Sequence, residues 1–228
     1  MKRLNTAALC VAAALVTTSA AAQTPAAPLS AATPDPTVVV GYAGLGGGIA
    51  AASTTGGAVN GEAGARVWKQ VDVSVEVGWF SNVLTRKRTN AAATLTNFLA
   101  QTQGQAASAT VKVPAFYGTV NGRWVFEKRQ YFHFRPYALV GVGVGRVSPS
   151  TKFTLNGTNI TGSVGQYGLT LGKDLSGHSV AGVFTGGFGA VRTYGKWYVD
   201  GGYRLTSLVA SGGSTVANRL NVGAGMRF

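Results

Sequence analysis

The chain is poor in cysteine, histidine and acidic residues, and it has no long hydrophobic run. Its single cysteine is Cys10, and its two histidines are His133 and His178. One cysteine forms no intramolecular disulfide and no multi-thiolate metal site. Past the N-terminal region no segment reaches 18 consecutive apolar residues, so the sequence predicts no transmembrane helix. We therefore expect neither a disulfide framework nor a helical membrane anchor, and we expect no metal or other cofactor.

Acidic residues are few beside the basic ones. Seven Asp and Glu stand against 20 Lys and Arg, which gives a formal net charge of +13. A balance this basic indicates an anionic partner, either nucleic acid or a phosphorylated membrane surface. The choice between the two depends on whether the protein is exported.

The N-terminus has the three parts of a secretory signal peptide. Lys2 and Arg3 precede an apolar stretch over 7–16, and small residues end in an Ala-x-Ala site at Ala22. We predict a signal peptide over 1–22 that is cleaved near Ala22. Export makes a membrane surface, and not nucleic acid, the expected anionic partner.

The rest divides into a proline-rich segment, 23–36, and a patterned region, 37–228. The first has the composition of a flexible linker. In 71–79 apolar residues alternate with polar residues or glycine, and 199–206 and 219–228 follow the same period of two. Such strands place one face on an apolar medium and the other on a polar space. Alternation alone leaves open which face lies inside a barrel.

Eight segments of the patterned region qualify as strands. They are 38–49, 60–68, 71–83, 111–126, 132–147, 179–192, 197–208 and 215–228. The connections at 69–70, 127–131 and 193–196 are short, whereas those over 50–59, 84–110, 148–178 and 209–214 are mostly longer and rich in Gly, Ser, Thr and Asn. This favours an all-β fold, a transmembrane antiparallel up-and-down barrel of eight strands with periplasmic turns and outer loops. A soluble sandwich stays an alternative.

Two local features bear on this prediction. Aromatic residues fall near strand ends, as membrane girdles require. They are Trp68, Trp79, Phe80, Trp124, Phe126, Phe132, Phe134, Trp197, Tyr198 and Phe228. Asn156 and Gly157 predict a tight hairpin that lengthens the third loop above the membrane; if this ribbon entered the bilayer, the strand count would be ten.

The C-terminal residues resemble the terminal assembly signal of bacterial outer-membrane proteins. The pattern is carried by Asn221, Gly223, Met226 and Phe228. Together with the glycine-rich segment 135–145, it makes residues 37–228 similar to the small outer-membrane β-barrel family that includes the membrane domain of outer-membrane protein A and outer-membrane protein X. The resemblance implies a bacterial outer-membrane location, a monomer, and recognition of these four residues by the barrel-assembly machinery.

Alternation assigns a set of charged side chains to the barrel lumen. They are Glu62, Arg66, Asp72, Glu76, Arg123, Asp200, Arg204, Arg219 and Arg227. Buried charges persist when they are paired, so we expect an internal salt-bridge network. Inward glycines such as Gly141, Gly143 and Gly145 would leave room for long polar neighbours. The network predicts either a solid plug or, given the excess of arginine, a narrow pore that favours anions.

A second basic set lies in or beside the long loops. Its members are Arg86, Lys87, Arg88, Lys112, Arg146, Lys152 and Lys173. At the outer surface they would meet the phosphates of lipopolysaccharide and form charge-assisted hydrogen bonds. The alternative is a set of solvated charges with no ligand.

Catalysis has little support in the sequence. Some small outer-membrane barrels are lipid A deacylases, which need a serine and a histidine in contact. His133 falls by a predicted periplasmic turn, and His178 is next to Ser179, whose side chain would face the opposite way on a strand. We therefore predict a non-enzymatic outer-membrane protein with a role in envelope integrity or surface interaction. The alternatives are a small-solute channel and a lipid A-modifying enzyme.

Overall fold

The computed structural model describes residues 40–126, 133–169, 172, 175–210 and 213–228. Its elements, in chain order, are β1 (Gly41–Ala51), β2 (Thr55–Trp68), β3 (Val71–Phe80), α1 (Arg86–Gln103), β4 (Ala107–Lys112), β5 (Ala115–Val125), β6 (Arg135–Val147), β7 (Ser150–Leu155), β8 (Thr158–Asn159), a 3₁₀ helix (Thr161–Tyr167), β9 (Ser179–Tyr194), β10 (Trp197–Ala210) and β11 (Gly213–Arg227). Strands β1, β2, β3, β5, β6, β9, β10 and β11 close into an antiparallel barrel. The predicted count of eight is confirmed.

The apolar face of the barrel strands lies outside. On β3 the side chains of Val73 and Val75 are exposed, whereas those of Asp72, Ser74 and Glu76 are buried. A protein in water would show the reverse arrangement. The inverted pattern is that of a barrel surrounded by lipid, in which closure also leaves no strand edge unpaired.

We call the end of the barrel that carries β1 Gly41 and the C-terminus the proximal end, and the opposite one the distal end. At the distal end the connections over 81–114 and 148–178 are long, as predicted. The first connection covers only 52–54, and Ala210 is already paired with Gly213, so the first and fourth connections are shorter than the predicted 50–59 and 209–214. The register shows why: pairing continues through glycine-rich chain to Ala51 opposite Thr55 and Ala210 opposite Gly213.

A small separate unit stands on the distal end, and we call it the distal appendage. It consists of α1, the 3₁₀ helix and a second sheet of order β4-β7-β8. The sequence suggested an irregular loop over 84–110 and one strand over 111–126, and both predictions are corrected. Arg88, Ala92, Leu95 and Leu99 recur on one helical face. Pro114, which lacks an N–H group, separates β4 from β5.

The distal appendage has its own apolar core. It is formed by Leu99, Phe153, Leu155, Ile160, Val164 and Leu169. The hairpin between β7 and β8 turns at Asn156 (φ 47°) and Gly157 (φ 79°), the two left-handed positions of a type I′ turn. This hairpin was predicted, and it stays outside the barrel. Among the described residues, no helix combines the length and apolarity that a membrane span requires.

Most of the predicted girdle aromatics point outward. Exposed on the wall are Trp68, Trp79, Trp124, Phe126, Phe134, Trp197 and Phe228. Phe80 and Tyr198 are buried in the barrel, so their assignment to a girdle is wrong. Each follows an outward tryptophan on the same strand, and successive side chains of a strand face opposite ways. Phe132 lies outside the described residues.

Candidate functional site

The centre of the barrel is a buried ion-pair network around Glu76. This carboxylate is 1% exposed and contacts the guanidinium groups of Arg204 and Arg219, the latter at 2.7 Å. Arg204 also reaches Glu62 at 3.1 Å, and Glu62 in turn contacts Arg123 at 2.6 Å. Residues from β2, β3, β5, β10 and β11 therefore form one continuous network. Each of these buried charges has a partner of opposite sign, as the cost of burial requires.

Tyrosine hydroxyls also donate hydrogen bonds to these buried carboxylates. Tyr117 donates to Glu76 Oε1 at 2.6 Å, and Tyr137 donates to Asp200 Oδ1 at 2.9 Å. The Arg123 guanidinium lies 4.5 Å from the ring centroid of Tyr137, within the range of a cation–π contact. Sequence reasoning missed these tyrosines, although each occupies an inward position on its strand.

Inward glycines make room for these long side chains. A Cβ atom on Gly78 would lie 2.3 Å from the Tyr117 hydroxyl, and one on Gly189 would lie 2.5 Å from the Tyr137 hydroxyl. At Gly141 the predicted crowding is also present, because a Cβ would lie 1.9 Å from Asn121 Oδ1. Glycine on the inner face is therefore a packing requirement of this network.

Two predicted lumen residues form a separate ion pair at the proximal mouth. Arg66 Nε contacts Asp72 Oδ1 at 2.7 Å, and the Arg66 side chain is 21% exposed. Arg227 lines the same mouth, beside Arg135. All four acidic residues in the described part of the chain thus point into the barrel, where each contacts an arginine or a tyrosine.

Apolar layers lie on both sides of the network. The distal layer includes Phe80, Val83 and Val113, all completely buried, and two of them come from the long distal connections. The proximal layer consists of Tyr42, Val125, Tyr137, Leu139, Val191 and Tyr198. An eight-stranded barrel is just wide enough to be filled by its own side chains. These layers fill it with a packed interior.

Arg146 marks the distal edge of the apolar wall. It points outward from β6, and its cross-strand neighbours are Phe116 on β5 and Val180 on β9, both exposed. Val140, Val142 and Val144 precede it on the same face. A lone cation directly beyond an apolar band lies at the level of a membrane headgroup.

The same face continues upward into the distal appendage, and we call it the distal strip. It consists of Ser108, Thr110, Lys112, Arg146, Ser148, Ser150, Lys152 and Thr154, all exposed or half-buried. A hydrogen bond from Ser148 N to Pro114 O, 3.0 Å long, joins the appendage to the barrel strands. The strip contains three cations and five hydroxyls but no carboxylate.

The other predicted surface cations differ in location and exposure. Arg86 and Lys87 are exposed on the first turn of α1. Arg88 is only 6% exposed, because it begins the inward face of that helix, so its assignment to an outer contact surface is wrong. Lys173 lies outside the described residues. The structure thus joins Lys112, Arg146 and Lys152 on one face.

His178 has a partner that the sequence did not suggest. Its Nδ1 atom lies 3.0 Å from Oγ of Ser148 on the distal strip, a serine distant in sequence, and Ser179 is the adjacent one. Thirty residues separate the two in sequence, so only the pairing of β6 with β9 brings them together. No described carboxylate is placed to orient the imidazole, since all four lie inside the barrel. His133 lies by the proximal turn.

The residues of the predicted assembly signal are all on β11 or directly after it. Asn221 is buried in the barrel, whereas Met226 and Phe228 are exposed on the outer wall. Gly223 faces Gly46 across the β1–β11 seam that closes the barrel. Recognition of these residues by assembly machinery stays a prediction.

The sequence identifies the family to which this barrel belongs. Residues 8–228 match the family described as the outer membrane protein beta-barrel domain. The chain belongs to this family, and it is a bacterial outer-membrane protein. No curated protein matches it in sequence.

Solved structures share the fold at low sequence identity. Neisserial surface protein A is 12% identical with a TM-score of 0.51, and the alignment covers 83% of this chain and 97% of that one. The N-terminal barrel of Pseudomonas aeruginosa OprF is 12% identical, with a TM-score of 0.46 over 83% and 97% of the two chains. Yersinia pestis Ail, solved with the heparin analogue sucrose octasulfate, is 13% identical, with a TM-score of 0.43 over 83% and 99%. The first of these establishes similarity of fold alone.

Proposed function

We propose that the barrel is a non-conducting anchor that holds the distal appendage at the cell surface, where the distal strip contacts lipopolysaccharide. The observation that carries this proposal is Arg146. It points outward at the edge of the apolar wall, between the exposed side chains of Phe116 and Val180. With the distal end outside the cell, its guanidinium lies at the level of the lipid A phosphates. Arginine binds phosphate through paired, charge-assisted hydrogen bonds.

The charge distribution supports the same assignment. The described carboxylates are all inside the barrel, so none competes with an external phosphate for Lys112, Arg146 or Lys152. Ion pairs at an exposed surface are individually weak. Three cations that engage the same glycolipid layer act together, and the layer itself is dense in phosphate.

Lipopolysaccharide retention during purification tests this contact. The Arg146→Gln variant is expected to carry several-fold less lipopolysaccharide per barrel than the unmodified protein. Lys69→Gln removes one charge from the proximal turn, and as a matched control it should leave the amount unchanged. Equal retention by Arg146→Gln and the unmodified protein would overturn the proposal.

The packed interior favours an anchor over a channel. Phe80, Val83 and Val113 seal the lumen distal to the ion pairs. Insertion of the purified protein into planar bilayers is expected to give no discrete conductance steps. Reproducible unit conductance, lost on heat denaturation, would instead support the narrow-pore alternative.

We propose no catalytic role. The contact of Ser148 with His178 uses Nδ1, and a serine nucleophile needs a histidine that a third group orients. The acyl chains of lipid A should have the same mass distribution in cells that express the protein and cells that do not. A change that disappears with Ser148→Ala would instead establish an enzyme.

A further inference from the structure

The sheet of the distal appendage has one covered face and one open face. Phe153 and Leu155 of β7 face the appendage core. The opposite face, which we call the distal sheet face, is the part of the distal strip formed by Ser108, Thr110, Lys112, Ser150, Lys152 and Thr154. The side chains of these six residues end in hydroxyl or ammonium groups.

The register defines how these groups are arranged. Lys112 is opposite Ser150, and Thr110 is opposite Lys152. The two lysines are therefore diagonal neighbours, whose Cα atoms lie roughly 7–8 Å apart in an antiparallel pair. Beyond them, Ser108 Oγ and Thr154 Oγ1 are hydrogen-bonded at 2.6 Å. Two cations and four hydroxyls thus lie side by side on this face.

This chemistry fits a phosphorylated sugar better than a bare phosphate or a lipid tail. Serine and threonine hydroxyls both donate and accept hydrogen bonds, as the hydroxyls of a sugar do. Lysine binds phosphate as a point charge without strict geometry. The face carries no large apolar side chain that would hold an acyl chain or the side chains of a peptide.

Its position indicates where such a sugar would come from. Lys112 at the end of β4 lies four residues from Phe116 on β5, and an extended chain of that length spans at most roughly 13 Å. Lys152 on β7 lies six residues beyond Arg146 on β6, and an extended chain of that length spans at most roughly 20 Å. The face therefore rises directly from the edge of the membrane wall, beside the sugars of any glycolipid in that leaflet.

We propose that the distal sheet face is a binding site for the phosphorylated core sugars of the outer-leaflet glycolipid. The inference rests on the proposed function for the orientation of the barrel. The inference goes beyond the proposed function because it assigns recognition of the sugar to residues other than Arg146. Arg146 would contact phosphates at the membrane surface, and the distal sheet face would select the saccharide above them.

A lipid-free ligand separates the two contacts. The experiment measures binding of phosphorylated core oligosaccharide, prepared without lipid A, to the full-length protein in phosphatidylcholine nanodiscs. Each variant is first checked for its folded, heat-modifiable band on a gel. The Lys112→Gln/Lys152→Gln variant is expected to lose about tenfold in affinity, a change equivalent to one or two charge-assisted contacts.

A charge-neutral variant tests recognition of the sugar itself. Thr110→Val/Ser150→Ala keeps both lysines and should still lose several-fold in affinity. The control Lys69→Gln/Lys196→Gln, which removes two charges at the proximal turns, should bind normally, as should Arg146→Gln. Enzymatically dephosphorylated oligosaccharide should bind weakly to every variant.

Three results would overturn the proposal. They are unchanged affinity of the double lysine variant, unchanged affinity of the hydroxyl variant, and equal binding of the dephosphorylated oligosaccharide. Failure of the proposed function is distinct, because it appears as unchanged lipopolysaccharide retention in Arg146→Gln. A further experiment uses nanodiscs that contain phosphatidylglycerol and omits the oligosaccharide. Preferential binding of the distal sheet face to that anionic lipid would also contradict recognition of sugar.

Discussion

The barrel interior and the distal strip are both rich in cations, but they differ in countercharge. Inside, Arg123, Arg204 and Arg219 share the carboxylates of Glu62 and Glu76. On the distal strip, three cations face outward, and none of the carboxylates that the structure describes lies beside them. The same residue types therefore have a structural role in one region and remain available for a ligand in the other.

The cost of burial explains this division. A charge removed from water is tolerated when its partner is present, and loss of one partner leaves the other buried alone. An exposed charge keeps its hydration and needs no partner. Paired interior charges should therefore matter for folding, and the exposed distal charges for binding.

The largest expected effect is on the central carboxylate. Glu76→Gln keeps the shape of the side chain but removes the charge shared by Arg204 and Arg219. We expect the free energy of unfolding to fall by about 3–5 kcal/mol, the usual cost of breaking a buried pair. Denaturant titration of the folded barrel, followed by gel mobility or tryptophan fluorescence, measures it.

Asp72→Asn is the matched control, since it removes the same charge from the pair at the proximal mouth, where the Arg66 side chain is 21% exposed. Its cost should be smaller, about 1–2 kcal/mol, because water still reaches the arginine of that pair. Equal losses in Asp72→Asn and Glu76→Gln would contradict the view that burial determines the importance of these charges.

The next effect separates the inner wall from the outer one. Gly78→Ala would place a methyl group against the Tyr117 ring and hydroxyl, and overpacking of this kind costs about 1–3 kcal/mol. Gly122→Ala faces outward with nothing within 4 Å, so its cost should be at most about 0.5 kcal/mol. The same unfolding titration compares them, and a larger loss for Gly122→Ala would show that the assignment of the two faces is wrong.

Much of the barrel could be predicted because its signal is local. Alternation along 71–79 and the Asn156–Gly157 turn depend on the geometry of a few neighbouring residues. The lengths of the first and fourth loops could not be read, because glycine-rich chain has little strand propensity of its own. In the structure that chain is paired because its neighbours in the barrel fix it.

The candidate site could be predicted only in part from the sequence, for a similar reason. The inward set of charges follows from the parity of positions along each strand, and so it was predicted. The burial of Arg88 depends on which face of α1 packs against the appendage core, and residues distant in sequence form that core. The contact of Ser148 with His178 depends on the alignment of β6 with β9. No local pattern encodes that alignment.

Ionic strength offers a smaller and reversible way to separate the two regions. The screening length falls from about 30 Å at 0.01 M salt to about 8 Å at 0.15 M. Affinity of the distal strip for phosphorylated oligosaccharide should therefore weaken several-fold over this range. The unfolding midpoint should scarcely move, because the interior pairs exclude solvent ions. A binding curve that is insensitive to salt would count against cationic recognition.

The smallest expected effect on stability is a charge reversal on the distal strip. Lys152→Glu places a carboxylate diagonal to Lys112, where the two form an exposed pair of little energetic weight. The unfolding midpoint should match that of the unmodified protein within error, while binding of phosphorylated oligosaccharide is lost. The variant thus gives the distal strip the countercharge that the interior already has. If it raised stability markedly and left binding intact, countercharge would not be what distinguishes the two regions.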